Sequence, residues 1–397
     1  MKLFKSLLVA PATIGLLAPL AASANEVNLN EISNYSNLEG IEVVNSFENE
    51  LSSDDNSIES IDARFNSFEA GSFSSTTTAS FSADMAIGAI DGQGTSPTDP
   101  LGEEALNAIY GFQIDLNTTF TGEDSLDVSI DAGNASSTTL GELDLNGGTD
   151  GLSIDGVAYT FPLGDKTTVF VGDNMDGSTL FSTACVYGGP SNTLDDCGNV
   201  NSALGGGSGT AAGASYDFGN GVTAAFGYTG DGSDATKGIF TKESSDAIAG
   251  QVTYTADSYG VSATLASIET ATSTTDLTAL AGKDVSYLAL NGYWIPEAGN
   301  LPSISVGYEM GNPEEEGAKD TTAFFVGFMW DEVGPGTLGA ALGTTGHIAS
   351  DATEYYMYEA FYDYPLNDGV TITPLVYLKE TSDDDQTGVM VKTSFSF

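Results

Sequence analysis

The residues of this sequence that could do chemistry are mainly carboxylates, and several alternate with apolar side chains. Asp115 lies in an alternating run, residues 110–120, Asp127 and Asp131 lie in the next such run, and Glu309 lies in a later one. Alternate residues of a β-strand share a face, so these acids are predicted to lie opposite the apolar side chains. Rows of carboxylates on one face of a water-filled passage favour cations over anions.

A second group of candidate residues lies in the longest connection, residues 174–207. Its two cysteines, Cys185 and Cys197, are the only ones in the chain. We expect a disulfide between them if the chain is exported, because the receiving compartment is oxidising; two free thiols are the alternative. The connection also contains three acids that would lie at the narrowest point of a channel if it folds inward: Asp176, Asp195 and Asp196. An outward loop that shields the surface or packs on a neighbouring subunit is the alternative.

The sequence gives little indication of a catalytic or metal-binding motif. His347 is the only histidine, and the chain contains no Gly-x-Ser-x-Gly motif, although a Ser–His pair that uses His347 stays open because such pairs are spatial. No EF-hand loop or Cys/His cluster has the spacing that a metal site requires. We therefore predict a protein that is not an enzyme and has no cofactor.

The amino-terminal residues have the features of a secretory signal: two lysines, an apolar stretch over residues 7–20 and small residues at 22–24. We predict a signal peptide over residues 1–24, cleaved after Ala24. Residues 25–70 are rich in Asn, Ser, Glu and Asp, which predicts an acidic, mostly flexible periplasmic extension. Residues 71–397 then form one domain.

The charge balance excludes a nucleic-acid partner. The chain has 56 Asp and Glu against 10 Lys and Arg, a formal net charge of −46. Removal of the two signal-peptide lysines would change the charge from −46 to −48. A polyanion of this kind repels phosphates. Its acidity is consistent either with attraction of cations or with solubility in a salty habitat.

From Ser72 onward the hydrophobic pattern has a period of two, which is typical of β-strands. No apolar run beyond the signal approaches the ~18 residues of a membrane helix. The pattern predicts about sixteen strands, at residues 72–89, 107–121, 125–134, 152–162, 166–173, 208–218, 221–230, 246–256, 259–269, 284–295, 302–311, 319–330, 336–344, 353–364, 369–379 and 387–397.

Short and long connections alternate between these strands. Seven short ones carry tight-turn residues, as in Gly219-Asn220, and eight longer ones separate them. Bacterial outer-membrane barrels have even strand numbers, short periplasmic turns and longer outer loops. The sequence therefore predicts an all-β fold: a transmembrane antiparallel β-barrel of about sixteen strands after a short N-terminal extension. The last strand alternates up to Phe397, which we predict to be the signal for barrel assembly.

Several short segments resemble a known family. Phe68-Glu69-Ala70-Gly71-Ser72-Phe73-Ser74-Ser75-Thr76-Thr77 is similar to the start of the barrel in cyanobacterial outer-membrane porins of the carbohydrate-selective porin family, some of which are iron-uptake porins. Phe120-Thr121-Gly122-Glu123-Asp124, Tyr159-Thr160-Phe161-Pro162-Leu163-Gly164, the signal region and the final Phe397 are also similar. The resemblance covers about residues 1–24 and 66–397.

The chain departs from that family at one point. Its members usually carry a surface-layer-homology domain and a coiled coil before the barrel, and residues 25–65 are too short for both. Attachment to the cell wall is therefore not carried over from the family to this chain.

These observations predict an outer-membrane porin for passive diffusion of small hydrophilic solutes and ions, with a preference for cations. Its expected partners are the outer-membrane lipid bilayer, small solutes and cations, and the porin class implies a homotrimer. The alternative is a secreted, acidic, calcium-binding structural or adhesive β protein. Such a protein would lack the terminal phenylalanine strand and the alternation of short and long connections.

Overall fold

A computed structural model describes residues 76–92, 105–135, 140–145, 150–195, 197–198, 209–232, 238–241, 245–269, 284–297, 301–382 and 385–397. These residues form sixteen long strands and one two-residue strand. The strands are β1 Thr77–Asp91, β2 Asn107–Thr118, β3 Ser125–Gly133, β4 Ser153–Pro162, β5 Thr167–Met175, β6 Gly209–Gly219, β7 Val222–Gly230, β8 Ala247–Thr255, β9 Tyr259–Glu269, β10 Asp284–Trp294, β11 Ser303–Pro313, β12 Thr321–Val333, β13 Gly336–Thr344, β14 Ile348–Ala349, β15 Tyr356–Asn367, β16 Val370–Lys379 and β17 Gln386–Ser396.

The long strands form a closed antiparallel barrel. Each pairs with its neighbours along the chain, and β1 pairs with both β2 and β17, so the sheet has no free edge. All sixteen predicted strands are confirmed, and β9 and β13 have the predicted bounds. The additional β14 lies within a predicted loop and pairs with β12 at Thr321 and Thr322. Among the described residues, no helix is long and apolar enough to cross a membrane.

The short connections lie at one end of the barrel and the long connections at the other. We call these the short-turn end and the long-loop end. At the short-turn end, β6 and β7 are joined by Asn220-Gly221 alone. Asn220 has φ +54° and Gly221 φ +80°, and a two-residue hairpin loop of this type needs positive φ at both positions, which Asn-Gly adopts readily. The predicted alternation of short and long connections is confirmed. The predicted signal peptide and extension, residues 1–24 and 25–70, lie outside the described residues.

The two faces of the barrel wall have opposite polarity. On β9, Leu265 is 64 % exposed and Val261 52 %, whereas Thr264 between them is fully buried. The same pattern recurs on β8, where Val252 is exposed and Gln251 is buried. Because successive side chains of a strand point to opposite faces, the exposed apolar set faces outward and the polar set faces the interior. A soluble protein has the reverse arrangement.

Aromatic side chains cluster at the short-turn end. Pairs of rings with centroids between 4.7 and 6.5 Å apart lie at the turns of successive hairpins and where the first and last strands meet. The pairs at this end are Phe81–Phe397, Phe120–Tyr159, Tyr159–Phe161, Tyr216–Phe218, Tyr254–Tyr259, Phe328–Trp330 and Tyr362–Tyr364. Transmembrane barrels carry such aromatic girdles at the level of the lipid headgroups. The girdle therefore marks one edge of the outward apolar band.

Candidate functional site: the barrel interior

The connection between β5 and β6 lies inside the barrel over residues 176–195 and 197–198, which we call the inner loop. Its backbone forms hydrogen bonds with inward side chains of three strands, β8, β9 and β11. Ser262 accepts a hydrogen bond from the Ala184 amide (3.2 Å), and Ser305 accepts from the Tyr187 amide (3.1 Å). Thr253 donates to the Ser182 carbonyl (2.8 Å). Since these side chains lie on the face opposite the exposed apolar residues, the inner loop crosses the interior rather than the outer surface.

Tyr187 extends the inner loop to a distant part of the wall. Its hydroxyl donates a 2.5 Å hydrogen bond to Glu359 on β15. Its ring packs against Phe325 on β12 and Phe361 on β15, with centroids 5.1 and 6.0 Å away. All four side chains are largely buried. The loop is therefore held on one side by β8, β9, β11 and β12 and on the other side by β15.

A disulfide between Cys185 and Cys197 closes the second half of the inner loop, as predicted. The Cys197 carbonyl accepts a 2.8 Å hydrogen bond from Asn291 on β10. The same carbonyl touches the wall at Gly307, where a Cβ would lie 1.6 Å from the oxygen. Only glycine leaves room for this approach, so Gly307 allows the cross-linked loop to pack directly against the backbone of β11.

A second segment, residues 140–145 of the connection between β3 and β4, lies beside the inner loop. Leu143 forms an isolated antiparallel bridge with Ser191. Leu140 and Leu143 are almost completely buried, in a cluster with inward apolar side chains of β15, β16 and β17. Sequence reasoning missed this segment. Three leucines in an otherwise polar connection, Leu140, Leu143 and Leu145, were the signal that could have indicated it.

Three of the predicted carboxylates come together on the inner face of β2 and β3. Asp115 accepts hydrogen bonds from Gln113 and Ser129, both 2.6 Å. Asp127 accepts from Asn117 (2.5 Å) and from Ser125 (2.7 Å). Asp131 accepts from Ser153 on β4 (2.8 Å). We call this surface, formed by Asp115, Asp127 and Asp131, the acidic wall.

Glu309 lies apart from the acidic wall. Its side chain on β11 is fully buried, and its Oε1 lies 2.6 Å from Nε2 of His347. Nδ1 of His347 lies 2.8 Å from the Thr321 hydroxyl, and the ring of Tyr287 packs edge-on against the imidazole. His347 thus joins the connection between β13 and β15 to the wall. The hypothesis of a Ser–His pair gains no support, because the two ring nitrogens contact a threonine and a glutamate.

Of the three acids predicted in the connection between β5 and β6, the structure describes two. Asp176 and Asp195 are half-buried at the two ends of the inner loop. The Asp176 carbonyl accepts hydrogen bonds from the amide and hydroxyl of Thr179. Asp196 lies outside the described residues. No group of three or more possible metal ligands occurs within the described part of the chain.

No protein-family model matches this sequence, and no curated protein matches it. Solved structures do. OprB of Pseudomonas putida superposes with a TM-score of 0.59 at 11% identity, over 81% of this chain and 94% of that one. OmpT of Vibrio cholerae with loop L8 deleted gives 0.54 at 13% identity, over 81% and 100% of the two chains. An anion-selective porin from Comamonas acidovorans gives 0.53 at 12%, over 81% and 99%.

The fold is porin-like. Identities of 11–13% establish the architecture of the barrel and no more. The porin fold is that of a family of channels rather than of enzymes, which agrees with the prediction of a non-enzymatic protein.

Proposed function

We propose that this chain is an outer-membrane porin through which small hydrophilic solutes and ions diffuse passively. The observation that carries the proposal is a closed porin-like barrel with its apolar side chains outward and its polar side chains inward. Closure leaves the wall without a free strand edge, as the bilayer interior requires. A soluble secreted protein that exposed so extensive an apolar band would aggregate, which disfavours the calcium-binding adhesive alternative.

Conductance in planar bilayers tests this function. Folded protein in detergent, added to one side in KCl, should produce stepwise increases in current. The control is the same preparation unfolded by heat before addition, which detects contaminating channels. A protein that shows the heat-modifiable gel mobility of a folded barrel but no current steps would refute the proposal.

A preference for cations follows from the acidic wall and from the net charge of −46. Carboxylates that line a passage lower the energy of cations inside it and raise that of anions. The porin from Comamonas acidovorans is anion-selective, so the shared fold does not determine the sign of selectivity. Here that sign depends on this chain's own side chains. A reversal potential on the cation side of a salt gradient is the expected result.

The inner loop is the proposed constriction. Its hydrogen bonds to β8, β9, β11 and β15 place it across the interior. Asp176 and Asp195 at its two ends would then add negative charge near the narrowest point, together with Asp196. Fixed charge acts on a passing ion most strongly there, because Coulomb energy rises as distance falls.

The proposed setting is the outer membrane, reached after cleavage of the signal peptide, with a homotrimer as the assembly. OmpT of Vibrio cholerae, another protein with this fold, has been solved in a trimer form. The family resemblance of the sequence suggests sugars or iron among the solutes. Swelling of protein-containing liposomes in isosmotic sugars of increasing size would define the cutoff.

A further inference from the structure

Lys379 occupies a junction between three parts of the molecule. It lies at the end of β16 next to the long loops. Its ammonium group donates to Glu142 Oε2 (2.7 Å) in residues 140–145 and to the Thr193 hydroxyl (2.9 Å) in the inner loop. Only 8 % of the Glu142 side chain and 24 % of the Lys379 side chain are exposed. One cation of the wall therefore holds both interior segments.

Glu142 completes the junction from the other side. While its Oε2 accepts from Lys379, its Oε1 accepts a 2.9 Å hydrogen bond from the Thr193 amide. The Glu142 carbonyl accepts from the Asn192 amide (2.7 Å), and the Asp144 amide donates to the Pro190 carbonyl (3.0 Å). The two segments are thus paired along their backbones, and their shared carboxylate faces the lysine.

The charge of the lysine matters more than its size. A largely buried carboxylate is stable only while a cation and hydrogen-bond donors compensate it. Without the ammonium group, Glu142 would have to move toward water, and the segments paired with it would move as well. Lys379 is one of only ten Lys and Arg residues in the chain, so few other side chains could supply a cation to Glu142.

We propose that Lys379 is a positioning residue that holds residues 140–145 and the inner loop as one unit against β16, and so sets the width of the pore. This inference rests on the proposed porin function. Lys379→Met removes the cation and keeps most of the side-chain length. We expect single channels with a broader distribution of conductance levels and more frequent closures. Lys379→Arg keeps the cation and should restore the behaviour of the unaltered protein.

Lys319 provides a matched control. Its 3.5 Å pair with Asp351 also joins connections at the long-loop end, but both side chains are more than half exposed. Exposed pairs of this kind contribute little, so Lys319→Met should leave conductance unchanged. Heat-modifiable gel mobility confirms that each variant forms a barrel.

Hydrogen exchange tests the positioning role without any current. In Lys379→Met, peptides that cover residues 140–145 and 190–193 should exchange about tenfold faster, because these local bonds open more often. Unchanged exchange in a folded Lys379→Met barrel would overturn the inference. Faster exchange with unchanged conductance would support the positioning of the segments and overturn their role in setting pore width. An unaltered protein that conducts no current would instead contradict the proposed function.

Discussion

Phe397 and Phe81 close the barrel at the short-turn end. Each amide donates to the other residue's carbonyl, at 2.9 and 3.0 Å, and the rings stack with centroids 5.8 Å apart and planes inclined by 8°. The final residue therefore completes the seam between the last strand and the first. This contact gives a physical basis for the predicted assembly signal.

Deletion of Phe397 should reduce barrel formation sharply. Two backbone hydrogen bonds and one aromatic pair together are worth about 3 kcal/mol, whereas Phe397→Ala keeps the backbone bonds and should cost about 1 kcal/mol. The folded fraction in a urea titration, read from heat-modifiable gel mobility, measures both. Phe240, a comparably exposed phenylalanine stacked on Tyr228 at the long-loop end, provides the control. If Phe240→Ala is as harmful as the deletion, the seam has no special role.

Asp124 should make the first short turn sensitive to acid. Its carboxylate accepts hydrogen bonds from the Phe120 and Thr121 amides and from three hydroxyls, those of Thr119, Thr121 and Tyr159. These bonds, the one from the Thr121 amide foremost, hold the pKa of Asp124 well below its ordinary value. This bond network also joins the two segments, residues 120–124 and 159–164, that resemble the cyanobacterial porins.

The sign of the pH dependence follows from the lowered pKa. The carboxylate stabilises the fold fully above the unfolded-state pKa of about 3.9, and this stabilisation is lost as pH falls toward the folded-state pKa. Asp124→Asn should lower stability at neutral pH and flatten the decline between about pH 5 and pH 1. Unfolding monitored by tryptophan fluorescence at several pH values measures this. Glu123→Gln, at the exposed tip of the same turn, is the control, and equal pH profiles for all three proteins would contradict the prediction.

Neutralising the acidic wall should weaken cation selectivity. In water, one unit charge at 4 Å contributes about 1 kcal/mol, or about fivefold in local cation occupancy. Replacing Asp115, Asp127 and Asp131 together by Asn should move the reversal potential toward zero, more visibly at low salt because screening is weaker there. Replacing Asp195 and Asp196 should act in the same direction. Asp351→Asn, on an exposed connection, should have no effect, and an unchanged triple variant would exclude the wall from the ion path.

Opening the disulfide should loosen the inner loop. A cross-link between residues twelve apart removes about 3 kcal/mol of unfolded-chain entropy. Cys185→Ser with Cys197→Ser should lower the midpoint of thermal unfolding and broaden single-channel conductance. A reductant should do the same to the unaltered protein and nothing to the double variant. Identical channels before and after reduction would mean that the loop does not border the path.

Gly307→Ala should displace the inner loop while the barrel persists. The new Cβ would lie 1.6 Å from the Cys197 carbonyl, and overpacking of this kind costs about 1–3 kcal/mol. Gly250→Ala is the matched control, since its Cβ would meet no atom closer than 3.8 Å. We expect altered conductance for the first variant only. Equal conductance and equal stability would show that this contact is not required.

The barrel strands were predictable because each has apolar side chains on its outward face and polar side chains on its inward face. Apolar and polar residues therefore alternate along the sequence with a period of two. The two-residue β14 was not, since Ile348 and Ala349 are too few to show a period. The acidic wall followed from the same alternation as the strands. The pairing of residues 140–145 with the inner loop depends on contacts such as Lys379–Glu142, 237 positions apart, which no local pattern indicates.

The hydrogen bond between Tyr187 and Glu359 joins residues 172 positions apart. Contacts of such long separation form late, because the entropy of closing the intervening chain must be offset first. By the same measure, the loop's contacts with β8, β9 and β11, which join residues 71, 78 and 118 positions apart, have less entropy to offset. We therefore expect the inner loop to attach first to β8–β11, and to span the interior only once β15 has joined the wall.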